Sequence, residues 1–306
     1  MMAILQAVPS KRLEVSIEDR RLSLSNLDKL LYPQSGFTKG HVIDYYTRIA
    51  PALLPHLRDR PLTLKRYPNG VEGGHFYEKQ CPSHRPDWVR SEPVELRSKT
   101  IQFCICDDLA TLVWLANLAD LELHPSLSKV PEVERPTLMA FDLDPGPGTG
   151  LAECCEVALL LRDALSALGL ESFPKTSGSK GVQLYVPLNV DDVDYDHGTK
   201  RLSNALARHL ESQHPKLIVS SQRKELRRNK VLIDWSQNDE HKTTVGVYSL
   251  RARERPTVST PLMWDEVEAG DPDALVFETD DVLARVEEHG DLFAPVAELD
   301  QELPDL

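Results

Sequence analysis

The stretch Leu138-Met139-Ala140-Phe141-Asp142-Leu143-Asp144-Pro145-Gly146 constrains this chain more than any other. An apolar run ends in two aspartates one residue apart, and Pro145-Gly146-Pro147-Gly148 follows at once. The unbroken apolar residues predict a strand, and the turn residues forbid its continuation. Residues i and i+2 of a strand point to the same side, roughly 6.5 to 7 Å apart, so Asp142 and Asp144 face one pocket while Leu143 faces the core. Two carboxylates that close repel by on the order of 3 kcal/mol at 5 Å and an effective dielectric of 20. A buried site relieves this by taking up a proton or a cation, and hard oxygens favour Mg2+ or Mn2+. Chance alone supplies about seven acid-x-acid pairs in a chain this acidic, so the pair draws its meaning from placement. A third carboxylate stands in an equivalent setting: Asp234, at the end of the apolar run Val231-Leu232-Ile233.

The net charge of -13 argues against an anionic partner only until it is divided along the chain. Residues 261–306 hold 15 acidic residues and one basic one, Arg285, whereas residues 1–260 hold 34 basic and 33 acidic. An acidic, mainly helical segment (261–306) therefore follows a near-neutral body (1–260), the expected catalytic unit, which has room for local basic clusters. The densest is Arg223, Lys224, Arg227, Arg228 and Lys230, leading into the Asp234 strand. A solvated loop is the default reading of such a run, and its position favours phosphate contact. No apolar run approaches a membrane span and no signal peptide is evident, so the expected location is cytoplasmic. Five cysteines, with Cys104-x-Cys106 and adjacent Cys154-Cys155, fit reduced thiols better than a disulfide framework. Cys81-x-x-His84 with Cys104 and Cys106 is spaced too tightly for the usual zinc pattern.

In chain order, Leu13–Ile17 and Arg21–Ser25 alternate as a hairpin. Asn26 is expected to cap a short helix from Leu27 to Leu31, and Thr38 a longer one through about Leu57. Lys29 and Lys39 stand near these helix starts, where an ammonium and backbone amides can hold a phosphate. Pro61–Tyr67 reads as a strand ending in Lys65-Arg66. Phe76-Tyr77, after the glycines 73 and 74, form either core or a base-stacking platform worth about 1 to 3 kcal/mol per base. A helix from Asp107 to Asp120 precedes Leu121–Leu123 and His124; a lone histidine is more often structural than functional. A helix from Thr149 or Gly150 to Leu168 leads to a strand through Phe173. Lys175-Thr176-Ser177-Gly178-Ser179-Lys180-Gly181 then offers amides and two ammonium groups to a triphosphate, without P-loop spacing. Strands are expected at Val182–Leu188, Leu217–Ser220, Lys230–Trp235 and Thr243–Leu250, and helix over most of 192–214. The fold class is α/β or α+β. Three carboxylates for cations, a Gly/Ser/Lys loop and arginines for phosphates, and aromatics for bases point to two-metal phosphoryl transfer, with polymerase and nuclease both open.

Leu30-Leu31-Tyr32-Pro33 with Thr38-Lys39, Lys65-Arg66-Tyr67-Pro68-Asn69-Gly70, Phe76-Tyr77-Glu78-Lys79, Phe141-Asp142-Leu143-Asp144-Pro145, Thr176-Ser177-Gly178-Ser179-Lys180-Gly181 and Asp234-Trp235-Ser236-Gln237-Asn238 together resemble the polymerase domain of bacterial ligase D, in the archaeo-eukaryotic primase superfamily. The similarity runs in consistent order from about Leu22 to Asp291. It implies a primase-polymerase core of two packed sheet-containing modules flanked by helices. The implied activity is template-directed nucleotidyl transfer in DNA repair, end joining or excision repair, often with ribonucleotides and Mn2+. By resemblance, Asp142, Asp144 and Asp234 would bind two Mn2+ or Mg2+ ions. His124, Ser177, Ser179, Lys180, Gln183 and Arg251 would meet the incoming nucleoside triphosphate, Lys29 and Lys39 a DNA 5'-phosphate, and Lys65, Phe76 and Tyr77 the template.

Gln183 departs from the family pattern, which usually has histidine there; glutamine can hydrogen-bond but cannot carry positive charge. The resemblance implies gapped or broken duplex DNA as substrate, a nucleoid-associated setting, and no membrane partner. With no ligase or nuclease module after residue 306, it further implies a stand-alone member, with a separate ligase and an end-binding protein in assistance. The rival expectation is a catalytically weakened DNA-end-binding or scaffold protein with Gln183 as the trace of a decayed site.

Overall fold

A computed structural model of the chain describes residues 12–96, 99–190 and 192–304. The architecture is α+β, built on two five-stranded sheets. The C-terminal sheet runs in the order Phe173–Thr176, Val182–Pro187, Leu138–Pro145, Val231–Asp234, Ile218–Val219, antiparallel except for its last pair. Period-two alternation gives its two faces different tasks. Met139, Phe141, Leu143, Val182, Leu184 and Ile233 are fully buried against helices Leu151–Ser166 and Lys200–Gln213. The opposite face carries Leu138, Ala140 and Tyr185, which join the core of the N-terminal half, and in the same rows Asp142 and Gln183. The acid pair therefore looks toward the other half of the protein.

In the N-terminal half, Phe76–Glu78 and Asp120–Pro125 flank Leu62–Arg66, and a hairpin of Ser91–Leu96 and Lys99–Cys104 adds the remaining strands. Helix Lys39–Leu57 covers this half, capped by Thr38, whose hydroxyl accepts from the His41 amide at 3.3 Å. Its Val42, Tyr45, Tyr46, Ile49 and Leu53 are buried beside helix Leu109–Asn117. The acidic C-terminal segment packs back on the body. Helix Trp264–Ala269 lies on Leu151–Ser166, and helices Thr279–His289 and Ala294–Glu298 lie on Lys39–Leu57. Asp291 accepts from Tyr248 Oη at 2.6 Å and pairs with His56 Nε2 at 2.8 Å. No helix among the described residues is long and apolar enough to cross a membrane.

Three expectations are corrected. Leu27–Leu31 is not a helix: Asn26 takes a left-handed φ of 56° and turns the chain into a small ladder of Leu30–Tyr32 with Phe37–Thr38. Its apolar residues follow the tertiary contact rather than a helical stripe. Thr243–Leu250 is not a strand either. It belongs to an irregular clasp, residues 243–261, that hydrogen-bonds to both halves and meets the sheets only through isolated bridges such as Lys175 with Pro261. Gly246 N donates to Leu123 O at 2.8 Å and Leu123 N to Ser249 Oγ at 2.9 Å on one side, and Thr176 N to Thr260 O at 2.8 Å on the other. Tyr45 and Tyr46 fix it, since Tyr45 Oη donates to Tyr248 O at 2.8 Å and the Leu250 amide to Tyr46 Oη at 3.1 Å. Finally, Cys81 and Cys104 form a disulfide rather than free thiols: the Cys81 amide donates to Gln102 O at 2.6 Å, which lays the loop carrying Cys81 along the Cys104 strand. Cys106, Cys154 and Cys155 are buried and unpaired with one another.

Candidate active site

The strand register places Lys175, Gln183, Asp142 and Asp234 as successive cross-strand partners, one polar row over four strands. Asp144, two residues beyond Asp142, projects from the same face. The three acids thus share one face, as their strand ends imply. Burial and the neighbouring Asp144 charge push the Asp142 carboxyl up to about 7, against a lowering hydrogen bond from Gln183. Burial and Asp234 raise Asp144 as well, while Arg227 and Arg251 draw it down. Asp142 and Asp144 are partly open to solvent; Asp234 is more enclosed.

Asp234 is engaged by its own surroundings. Its Oδ1 accepts from Gln222 Nε2 at 2.7 Å and from Ser236 N and Oγ at 2.9 and 2.6 Å, and its Oδ2 from Gln237 Nε2 at 2.8 Å. Accordingly, no set of three or more His, Cys, Asp or Glu side chains is gathered as a ready metal site among the described residues. The donor chemistry, three hard carboxylates on one face, is nevertheless of the kind that suits a hard divalent cation. The basic loop reaches the same place: Arg227 Nη2 donates to Gln222 O and Oε1 at 2.9 and 2.8 Å, and so sits behind Asp234. Gly146 is required at this turn, because a Cβ there would lie 1.8 Å from Arg227 O.

Beside the acids lies the loop 177–181. Ser177 Oγ accepts the amides of Ser179 and Gly181 at 3.3 and 3.1 Å, so the loop satisfies these amides internally; its outward-facing groups are the Ser179 side chain and the exposed Lys180. Gly178 has a φ of 66°, and a Cβ on it would meet Arg251 Cγ and Ser259 N at 2.7 Å. Arg251 Nη1 donates to Ser177 O, and Arg253 to Ser179 Oγ. Lys175, which the sequence offers to a triphosphate, is instead fully buried. Its ammonium donates to Gln183 Oε1, to Ser259 Oγ at 2.7 Å and to Val245 O at 3.1 Å, and burial depresses its pKa strongly. Gln183 passes the contact on, donating Nε2 to Asp142 Oδ1 at 3.0 Å, so both ends of its amide are already used.

In the N-terminal sheet, Tyr77, Lys65 and Glu122 are likewise cross-strand partners. Phe76 and Tyr77 are 43% and 58% exposed, which fits an open platform and not a core. Arg66 stacks over Phe76 at 5.2 Å, and Lys65 Nζ lies 5.4 Å from the Tyr77 ring. Buried His124 donates Nε2 to Glu122 at 3.0 Å and meets Tyr77 edge-on at 5.9 Å. Glu122 is the residue the sequence did not single out. Its only signal is the alternation Asp120-x-Glu122-x-His124 along one strand.

Lys29 and Lys39 are joined by their backbones, Lys39 N donating to Lys29 O at 2.8 Å. Lys39 Nζ is nearly buried and donates to Ser25 O at 2.7 Å. Burial, then repulsion from Lys29 and Arg66, brings its pKa down to about 8. Arg66 is itself paired with Glu78 at 2.6 Å, so the charge that favours an anion here is that of the two lysines.

The match to a model of the LigD primase-polymerase domain covers residues 38–293. The multifunctional non-homologous end joining protein LigD of Mycolicibacterium smegmatis is 42% identical over 278 residues, which are 90% of this chain and 36% of that protein. The bifunctional LigD of Bacillus subtilis is 32% identical over 270 residues, 88% of this chain and 43% of the relative. The chain thus spans well under half the length of these relatives. Among solved structures, the polymerase domain of Mycobacterium tuberculosis ligase D in complex with DNA superposes with a TM-score of 0.84 at 40% identity, covering 92% of this chain and 99% of that one.

Proposed function

The chain belongs to the family of LigD primase-polymerase domains, and on that premise we propose that it is a template-directed nucleotidyltransferase filling short gaps in broken or gapped duplex DNA. The observation that carries the reading is that Arg251 ties two polar rows together, donating to Ser177 O in the loop beside the acids and lying 3.5 Å from Glu122 in the row of Lys65 and Tyr77. One presents Asp142, Asp144 and Asp234 beside a loop bearing Lys180, and the other presents an exposed aromatic pair with Lys65. In this reading the template lies on Phe76 and Tyr77, held by Lys65. The nucleoside triphosphate, ribo- or deoxyribo-, meets Ser177, Ser179, Lys180, His124 and Arg251. A DNA 5'-phosphate docks at Lys29 and Lys39, whose backbones are joined by the Lys39 N to Lys29 O bond.

Two Mn2+ or Mg2+ ions held by Asp142, Asp144 and Asp234 would supply activation of the primer 3'-hydroxyl and neutralisation of charge on the transferred α-phosphate. The chain's own part is to keep that face dry on its Phe141 side and open on its Asp142 side, and to orient Asp142 through Gln183. Gln183 serves the aspartate and not the nucleotide directly, so its lack of charge costs less than at a phosphate-contacting position. The relatives' names place them in non-homologous end joining, and we extend that setting to this chain, with a ligase and an end-binding protein as cooperating partners.

The test is primer extension on a one-nucleotide gap bearing a 5'-phosphate, with Mn2+ and ribonucleotides. Lengthened primers that disappear in Asp142→Ala support the reading. Shortened primers indicate a nuclease, and unchanged primers with retained DNA binding indicate a scaffold.

A further inference from the structure

Glu122 gathers, on one carboxylate, side chains assigned above to two different substrates. Its Oε2 receives Lys65 Nζ at 3.1 Å and His124 Nε2 at 3.0 Å, with Arg251 Nε at 3.5 Å. Its Oε1 receives the Ala252 amide at 3.1 Å and Tyr67 Oη at 3.4 Å. The residue is 2% exposed, and three cationic or potentially cationic neighbours hold its pKa far below the usual carboxylate range despite burial. Lys65 belongs to the template platform, where it lies over both Tyr67 and Tyr77, whereas His124 and Arg251 belong to the nucleotide side. Arg251 then reaches the nucleotide loop through Ser177 O. Arg251 Nε is a buried donor without a hydrogen-bond partner, although it lies within ion-pair range of Glu122.

We propose that Glu122 is a positioning residue that couples template engagement to nucleotide binding through the protein, independently of base pairing. A strand that draws Lys65 toward its phosphates changes the competition for Glu122 Oε2. The carboxylate then closes more fully on His124 and Arg251 and fixes them for the triphosphate. Glu122 touches neither substrate in this scheme. The inference rests on the function proposed above.

The coupling is read as the dissociation constant of a fluorescent ribonucleoside triphosphate, measured with Ca2+ to prevent turnover, with and without a primed template whose opposing position is abasic. No base pair can then carry the linkage. In the parent, the abasic template strengthens nucleotide binding about fivefold, and in Glu122→Gln, provided it still unfolds cooperatively, by less than about twofold. Lys65→Met is measured in parallel and loses the same coupling, so a Glu122→Gln that fails to fold does not remove the test. Coupling retained in either folded variant, or absent from the parent, overturns the proposal. A parent that binds neither triphosphate nor template instead overturns the function on which it rests.

Discussion

Gln183 stands directly across the sheet from Asp142 and donates its amide to that carboxylate at 3.0 Å, while its carbonyl oxygen accepts from buried Lys175. A glutamine can do both at once because its amide has a donor end and an acceptor end. Gln183→Leu removes both contacts, leaving Lys175 short of one acceptor. The expected cost is about 2 to 3 kcal/mol of folding stability, checked by urea unfolding. It should come with a higher Mn2+ requirement, as Asp142 loses its orienting donor.

Asp142 is under repulsion from two neighbours, and the fold favours its neutral form. A raised folded pKa means that the charged form weakens the fold as pH rises above the ordinary carboxylate value. Asp142→Asn is therefore expected to raise stability near pH 8 by about 1 to 2 kcal/mol while primer extension falls at least about a thousandfold. Thermal melting with and without Mn2+ checks the first part: the metal should stabilise the parent and leave the variant unmoved.

The Lys39 ammonium has a pKa of about 8, set by burial and by Lys29 and Arg66. It is charged below that pH and neutral above it, so preference for a 5'-phosphorylated gap should decline as pH rises from 7 to 9. Comparing binding of phosphorylated and unphosphorylated gaps across that range gives the result. Lys39→Arg, which stays charged throughout, should flatten the profile.

Tyr77 is mostly exposed, so Tyr77→Ala should leave the melting temperature within about a degree or two of the parent, as surface changes usually do. Template affinity should fall by about 1 to 3 kcal/mol, the worth of one stacked base. Fluorescence anisotropy on a gapped duplex measures this, and loss of stability without loss of affinity would show the ring to be structural.

The acids were legible in the sequence because an apolar run, a terminal aspartate and a Gly/Pro turn are local signals, and strand geometry does the rest for Asp142 and Asp144. That Asp234 would pair with Asp142 was not local, since register between strands far apart in sequence is set by the whole sheet. Lys175 was misread for a related reason. Its neighbours Ser177, Gly178 and Ser179 look like an exposed loop, yet it occupies the last inward position of a strand. Glu122 sits in a strand whose neighbours give no motif. Only the convergence of Lys65, His124 and Arg251, from three separate parts of the chain, marks it. The failed helix at Leu27–Leu31 gives way to a ladder with Phe37–Thr38 and to backbone bonds from Lys39, Gly40 and Val71 in its own half, whereas the strand at Thr243–Leu250 fails because that segment is shaped by contacts with both halves.

That second segment has a lasting consequence. Because residues 243–261 are stitched to both sheets and pinned by Tyr45 and Tyr46, the two halves cannot swing apart like jaws without tearing a row of buried bonds. On the proposed function, DNA and nucleotide would enter a slot whose width is set when the protein folds. Evolution can change what this slot accepts by altering its walls, but can scarcely change it by loosening a hinge.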